Sequence, residues 1–132
     1  WDPALAAQGV VVLPLQQALG SHEALIKQYM DTAVAPLEHK FSALRAALWR
    51  DGAFVYVPKN VAAETPITLR YTLPAGGRTT FPRTLVIVEA NAQATVIEEF
   101  TSTDQADGAL AAPVSEIFAG PGSLVRFVSA QH

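Results

Sequence analysis

The chain contains 132 residues, of which 50% are hydrophobic and 16% are charged, and its formal net charge is −3 at pH 7. This composition supports a packed domain rather than a disordered chain, and the small acidic charge argues against nucleic acid as the main partner. The sequence lacks cysteine, which excludes disulfides and thiolate ligands within it, and no apolar run approaches the ~20 residues that span a bilayer.

The first part of the chain predicts a short extended segment and then a helix. Residues 9–15 (GVVVLPL) favour a buried strand, although Pro14 bars a central position in a sheet. Ser21 is a good helix cap, and the apolar residues that follow at helical spacing predict an amphipathic helix over 22–33.

A second helix is predicted over residues 38–49. Pro36 is tolerated in the first turn of a helix, and Asp51–Gly52 turns the chain at its end. We therefore expect an N-terminal helical region over residues 1–50 and a β-rich region over residues 51–132.

Beyond residue 52 the hydrophobic pattern changes from helical spacing to short strands separated by turn residues. Two helices followed by several strands exclude a simple alternation of strand and helix. The predicted strands cover residues 53–57, 66–72, 84–89, 93–100, 114–119 and 123–129.

The first of these strands is apolar at every position from Ala53 to Val57. A strand with one face in water alternates apolar and polar residues, so this pattern predicts that both faces are covered. We expect alternate residues to face a stacked interior. The helix over 38–49, or the helix before it, is expected to lie on the outer face near Phe54 or Val55.

A similar pattern returns twice further along the chain. Two apolar residues, a bend and a small residue occur around Asn60, Asn91 and Pro121, which follow one another at nearly equal intervals. A fixed period of about 30 residues predicts stacked coils of short strands, each covering the apolar side of its neighbour. The alternative is a β-sandwich whose hairpins fall at this spacing.

Four stretches of the sequence carry a family resemblance. The most specific run is W-x-x-G-x-F-V-Y-V-P-K at 49–59, followed by R-T-L-V-I-V-E at 83–89. The stretches are GVVVLPLQQAL (9–19), KFSALRAALWRDGAFVYVPKNV (40–61), FPRTLVIVEANAQATVIEEF (81–100) and PVSEIFAGPGSLVRFVSAQ (113–131). Together they resemble the SufB/SufD family of iron–sulfur cluster assembly proteins, and the SufD branch most closely.

The resemblance implies a mainly β fold: a right-handed parallel β-helix, of which this chain holds only the opening turns, with N-terminal helices packed beside it. It implies a non-catalytic, cytoplasmic scaffold that supports iron acquisition and cluster building with a SufB homologue and a SufC-type ATPase. Family members are several times longer, and their SufC-docking and cluster-binding parts have no counterpart in these 132 residues. We therefore expect no catalytic, cofactor-binding or metal-binding residue here; the iron–sulfur cluster and ATP belong to the parent complex.

One position separates the two branches of this family. SufB proteins typically read E-G-C-T-A-P where residues 98–103 of this chain read E-E-F-T-S-T. A thiolate is a soft ligand for iron or persulfide sulfur, whereas a phenyl ring is not. Phe100 therefore favours the SufD branch and is expected in the core, and a SufB homologue is the alternative.

The acidic residues of the strands fit structural roles better than catalysis. Glu98 and Glu99 are neighbours on a strand and point to opposite faces, so they do not form an acid–base pair. One is expected in solvent, and the other is expected to pair with Arg83 or Arg126 or to lie on an outer ladder. Two further acids are expected in solvent on turns or outer faces: Glu89 and Glu116.

Other candidates for chemistry are weak. The histidines are far apart in the sequence and are expected on the surface rather than in a metal site. The glycine-bearing turns lack the phosphate-binding pattern, and the serines lack the G-x-S-x-G setting of a nucleophile. These side chains are His22, His39, His132, Ser21, Ser42 and Ser115.

A carbohydrate-binding β-helix module is the alternative from another class of protein, with aromatic platforms or carboxylate pairs as its signature. The aromatic residues to consider are Trp1, Trp49, Tyr56 and Tyr71, of which Trp49 and Tyr56 fit a buried pattern.

The ends of the β-rich region also predict behaviour in solution. The polar stretch 104–108 is predicted as an exposed loop. A β-helix that is cut across presents unpaired backbone groups and apolar side chains, so we expect the chain to associate with itself through its strands around 114–129.

Overall fold

A computed structural model of the chain describes residues 2–34, 43, 47–50, 52–73, 77–102, 108 and 110–132. Residues 2–34 hold three short helices: α1 (Pro3–Ala7), α2 (Leu15–Ser21) and α3 (Glu23–Tyr29). The predicted helix over 38–49 and the predicted loop over 104–108 lie largely outside the described residues.

The N-terminal helices differ from the prediction in their bounds. Helix α3 is shorter than the predicted helix over 22–33, because the backbone becomes extended at Met30 (ψ 136°) and reaches a positive φ of 66° at Asp31. The predicted cap is wrong: Ser21 is the last residue of α2, and His22 lies between the two helices. Helix α2 begins directly after Pro14, whose missing N–H is not needed at a helix start.

Most strands agree closely with the predicted positions. Two further strands have only two residues each, which is too short for the sequence pattern to reveal. The strands are β1 (Val11–Pro14), β2 (Gly52–Val57), β3 (Ile67–Leu73), β4 (Thr79–Thr80), β5 (Arg83–Val88), β6 (Gln93–Ser102), β7 (Leu110–Ala111), β8 (Val114–Ala119) and β9 (Leu124–Gln131).

The strands form three sheets, and pairing within them is parallel except at β1. Sheet A has the order β1-β2-β5-β8, with β1 antiparallel to β2; sheet B has the order β3-β6-β9, and sheet C pairs β4 with β7. Gly52 faces Arg83, and Arg83 faces Val114, so the parallel strands of sheet A follow one another at an equal interval along the chain. Strands β2 and β5, at the positions of the predicted strands 53–57 and 84–89, lie side by side in the same direction, so the alternative of a β-sandwich built from hairpins is wrong.

The turns that follow the strands of sheet A repeat with the same period. Asn60, Asn91 and Gly122 all have positive φ, at 63°, 58° and 69°, and they are evenly spaced along the chain. The third equivalent is therefore Gly122 rather than Pro121. Asn91 Nδ2 donates a hydrogen bond to Asn60 Oδ1 at 3.3 Å, and a Cβ on Gly122 would lie 2.4 Å from Asn91 Oδ1.

Apolar side chains cover both faces of β2, as the continuous apolar run predicts. Toward the interior between sheets A and B, Val55 and Val57 pack in one cluster with Val86, Val88 and Val96. On the outer face, a second cluster joins sheet A to helices α2 and α3. These two helices, which precede the predicted helix over 38–49, contribute to the cover of this face. The buried members of this cluster are Leu15, Ala18, Ile26, Phe54, Leu85 and Ile87, with Trp49 and Tyr56 partly buried against them.

The fold of the described residues is thus mainly β, with parallel sheets and a few short N-terminal helices. Strand β1 hydrogen-bonds to β2 across the predicted boundary at residue 50, and the division into 1–50 and 51–132 stays a prediction. In the part of the chain described here, no helix is both long and apolar enough to cross a membrane.

Candidate functional site

A buried carboxylate lies in the interior between sheets A and B. The side chain of Glu98, on β6, belongs to a residue only 2% exposed. It accepts hydrogen bonds from the hydroxyl groups of Thr84 (2.6 Å), Ser115 (3.1 and 3.2 Å) and Ser129 (3.5 Å). An isolated carboxylate is expensive to bury, and short O–H···O⁻ bonds such as the one from Thr84 are strong, so these hydroxyls replace the lost water.

The hydroxyl groups of Thr84 and Ser115 come from neighbouring parallel strands, at positions that face each other. Thr84 and Ser115 face each other across β5 and β8, and Glu98 and Ser129 face each other across β6 and β9, so the members of each pair are one coil apart. Tyr71 extends the network, because its hydroxyl lies 2.8 Å from Thr84 Oγ1. The recurring spacing of the turns was the signal that could have brought these side chains together from the sequence.

Glu98 occupies none of the places expected for these two glutamates, because it lies in the interior rather than in solvent or on an outer ladder. Among the described residues, no basic side chain forms an ion pair with Glu98; Arg83 lies on the other face of sheet A. Glu99 points to the outer surface, as alternation along the strand requires, and pairs with Arg70 at 2.9 Å.

A second buried carboxylate lies under the segment that follows α3. Glu116, on β8, is 1% exposed and accepts hydrogen bonds from the backbone N–H groups of Asp31, Ala33 and Val34, each at 3.1 Å. Arg83 donates to it at 2.9 Å and also contacts the carboxylate of Asp31.

The expectation of a solvated Glu116 is therefore wrong. Position 116 lies on the outer face of sheet A, which the helices and the segment 31–34 cover. Arg83 completes this cluster, although its Nε is buried without a hydrogen-bond partner in the described part of the structure. A buried charge of this kind is stabilising only when it is paired and hydrogen-bonded, which explains the number of donors around Glu116.

The other polar candidates do not converge on a site. His22 contacts Phe54, with ring centroids 5.4 Å apart, and its Nδ1 lies 2.8 Å from Ser21 Oγ. His132 follows β9, where its backbone N–H bonds to Phe100, and His39 lies outside the described residues. In the described ranges, histidine, aspartate and glutamate side chains do not form a group of three or more that could hold a metal ion.

Among the described residues, two side chains have a shifted pKa, and neither belongs to a catalytic arrangement of described groups. Burial raises the pKa of the Tyr56 phenol, with a smaller contribution from the negative charge of Glu89. The hydrogen bond and charge of Lys27 lower the pKa of Glu23 on the surface of α3. Glu89 itself is half-buried rather than fully solvated.

Phe100 and the aromatic candidates occupy structural positions. Phe100 is 3% exposed and stacks on Tyr71, with ring centroids 5.2 Å apart and an interplanar angle of 13°. Trp49 and Tyr56 are partly buried in the outer cluster, and Trp1 lies outside the described residues. The expected core position of Phe100 is confirmed, and Trp49 and Tyr56 pack in the outer cluster rather than forming an exposed platform.

The last strands of the two large sheets carry three of the five exposed large hydrophobic side chains in the described part of the chain. Strands β8 and β9 each pair on one side only. We call these two strands the open edge. Its exposed apolar side chains include Leu124 at 50% and Val128 at 49%, with Ile117 at 36%. Unpaired strand edges with apolar side chains are surfaces for further strand pairing.

Comparison with known proteins assigns the family. The family model for the SufBD protein N-terminal region matches residues 2–69, and the model for the SUF system FeS cluster assembly, SufBD core domain, matches residues 71–132. The chain belongs to the SufBD family of iron–sulfur cluster assembly proteins.

Individual relatives agree with this assignment. The chain is 33% identical over 128 residues to iron–sulfur cluster assembly SufBD family protein SSP1857 of Staphylococcus saprophyticus and 32% identical over 128 residues to iron–sulfur cluster assembly protein SufB of Bacillus subtilis. The SufBD family protein SH2035 of Staphylococcus haemolyticus is 31% identical over the same length. Each alignment covers 97% of this chain but 28% of the relative, so the chain spans about a quarter of the length of these relatives.

Proposed function

We propose that this chain is the opening part of a SufD-like scaffold component of a SUF iron–sulfur cluster assembly complex. The observation that carries the proposal is the match of consecutive SufBD models to residues 2–69 and 71–132. The SUF system provides the general function, and the assignment to a non-catalytic, cytoplasmic scaffold acting with a SufB homologue and a SufC-type ATPase is our inference from it.

The geometry supports a right-handed parallel β-helix that continues beyond this chain. Successive strands visit sheet A, sheet B and sheet C in the same order, and the parallel strands of sheet A stack with a constant offset along the chain. Such coils bury their apolar sides against one another, so an open edge calls for a further coil. The relatives' greater length supplies chain for these coils.

The proposed mechanism is mechanical rather than catalytic. The stacked coils hold successive strands in register, while the Glu116 cluster and the outer apolar cluster fasten the N-terminal helices to sheet A. We infer that residues 1–50 act as a cap on a core that starts near residue 51. Iron acquisition and cluster building are the work of the assembled complex, with the cluster as its product.

The SufD branch is favoured by Phe100. This residue occupies the position where SufB proteins typically carry a cysteine, and its buried ring packs in the interior instead of offering a ligand for iron or sulfur. A SufB homologue is the second candidate, because the B. subtilis relative named SufB is 32% identical.

The test uses the full-length parent protein, co-expressed with a SufB homologue and a SufC-type ATPase. We expect all three to co-purify, and we expect cluster formation to require the SufB homologue. Failure to retain either partner would overturn the scaffold proposal. Cluster formation by the parent with the ATPase alone would instead assign it to the SufB branch.

A further inference from the structure

A cavity of about 660 Å³ opens beside the carboxyl end of β3, and its lining includes β4 and the two residues between β4 and β5. This volume lies within the range of about 300–1,000 Å³ that is usual for small-molecule sites. The cavity is separate from the Glu116 cluster and from the open edge, and the proposed scaffold function does not use it.

Three arginines contribute to the lining: Arg50, Arg70 and Arg78. They are a third of the nine basic residues in a chain whose net charge is −3. Among the described lining residues there is no aspartate or glutamate. The described lining of this concave surface thus carries positive charge in a chain of negative net charge, and a concave surface of one sign concentrates ions of the opposite sign.

Arg50 and Arg78 differ from Arg70 in their ion pairing with the described residues. Arg70 pairs with Glu99 through both Nε and Nη2, whereas the described residues offer no ion-pair partner to Arg50 or Arg78. Arg50 and Arg78 are both exposed, so an anion can reach them without breaking an ion pair with a described residue. Arginine binds phosphate and carboxylate oxygens with paired N–H donors.

The walls of the cavity are aromatic and hydroxylic. The stacked rings of Tyr71 and Phe100 form part of one wall, and Phe81 adds a third ring. Thr79 and Thr80 supply hydroxyl groups beside Arg78. Pockets that hold organic ligands combine apolar walls with a few polar groups in this way.

We propose that this cavity binds a small phosphate monoester with a planar apolar body. Arg50 and Arg78, which form no ion pair with a described residue, match the charge of about −1.5 to −2 that a phosphate monoester carries near neutral pH, whereas a carboxylate brings only one charge. The phosphate lies between Arg50 and Arg78, and the planar body lies against Phe81 and Phe100.

The test is a titration of the 132-residue chain with phenyl phosphate, followed by NMR chemical shifts and by calorimetry. We expect a Kd on the order of 1 mM, with shifts concentrated around the cavity, and weaker binding at high salt because exposed charges are screened. We expect inorganic phosphate, benzoate and benzyl alcohol each to bind at least about tenfold more weakly, since each lacks one part of the ligand.

The variant for this test is Arg50→Gln combined with Arg78→Gln, and the matched control is Arg126→Gln, an exposed arginine on β9 away from the cavity. The double variant should lose at least about tenfold in affinity because two charge-assisted contacts disappear, and the control should bind normally. Far-ultraviolet circular dichroism checks folding, and Arg78→Gln alone serves if the double variant unfolds.

Several outcomes overturn the proposal. Absence of phenyl phosphate binding at about 10 mM, roughly ten times the expected Kd, removes the site. If the double variant binds phenyl phosphate as tightly as the unmodified chain, the arginines do not contribute to binding. The same conclusion holds for Arg78→Gln when it replaces an unfolded double variant. Benzoate binding as tightly as phenyl phosphate refutes the phosphate assignment, and inorganic phosphate binding as tightly refutes the role of the aromatic wall.

Discussion

At the scale of single residues, the structure separates two adjacent glutamates that look alike in the sequence. Glu98 is enclosed by hydroxyl groups, and Glu99 shares a partly exposed ion pair with Arg70. The difference follows from alternation along β6, because one side chain enters the interior and the next leaves it. Equal substitutions at the two positions should therefore have unequal effects.

We expect Glu98→Ala to lower the free energy of unfolding by about 3 kcal/mol, because it leaves buried hydroxyl groups unpaired and opens a small cavity. Glu99→Ala is the matched control and should change it by less than about 1 kcal/mol, since exposed ion pairs contribute little. Urea denaturation of both variants measures the difference. Equal destabilisation would contradict a special role for the hydroxyl network.

At the scale of structural elements, the turns that leave sheet A depend on left-handed backbone. Asparagine serves at residues 60 and 91, and glycine serves at 122, where the carboxamide of Asn91 occupies the space that a Cβ needs. The requirement is therefore both conformational and steric.

Gly122→Ala should destabilise the turn between β8 and β9 by about 1–3 kcal/mol, because it adds backbone strain to a close contact with Asn91. Gly20→Ala is the control: Gly20 lies in α2 with open space around its Cα, and alanine there should be neutral or stabilising by up to about 1 kcal/mol. Thermal unfolding distinguishes them. A neutral Gly122→Ala would show that the turn accommodates a side chain.

The segment after α3 is held to sheet A by Glu116 and by the ion pair of Asp31 with Arg83. Glu116 bonds three N–H groups that precede it by 82 to 85 residues, so it connects the N-terminal helices to the third strand of the parallel run. This contact joins the two predicted regions more directly than any local feature of the sequence does.

Glu116→Ala should speed amide hydrogen exchange in residues 31–34 and in α3, because the released N–H groups lose their acceptor and Arg83 is left buried without it. Glu89→Ala, at a half-buried glutamate just after β5, is the control and should leave exchange in these residues unchanged. Hydrogen-exchange mass spectrometry provides the measurement. Unaltered protection in the Glu116 variant would mean that the apolar cluster alone holds the helices.

At the scale of the whole molecule, the open edge determines whether we expect the chain to associate with itself in solution. Strands β8 and β9 have backbone groups without a strand partner on one side, and apolar side chains project beside them. Under the proposed function, a following coil of a longer parent protein occupies this position; for the 132-residue chain by itself, a second copy is the available partner.

Light scattering at tens of micromolar, a concentration suited to weak association, should therefore show dimers or larger species. Val128→Lys places a charge on the edge strand β9 and should shift the chain toward monomer. Gln93→Lys adds the same charge on the central strand β6 and should leave association unchanged. A monomeric unmodified chain would contradict self-association through this edge.

Much of the fold was predictable because its signals are periodic. The continuous apolar run of β2 predicted cover on both faces, and the recurring turns predicted stacked strands at nearly the observed spacing. The prediction placed the third turn at Pro121, one residue too early, because it compared the residue types of the three turns. The structure repeats a backbone conformation instead, the positive φ that Gly122 shares with Asn60 and Asn91. The short α2 was missed because seven residues give little periodicity beside a proline.

The sequence by itself determined the class of fold, the positions of the main strands and the family resemblance, because alternation, turn residues and motifs are local properties of the chain. Only the tertiary structure decided the environments of Glu98 and Glu116, the pairing of Arg83 and the gathering of three arginines around one cavity. Those environments depend on the distance between residues far apart in the chain. A charged side chain reads as solvated until the element that covers it is known, and the energetic demand of its burial then explains its partners.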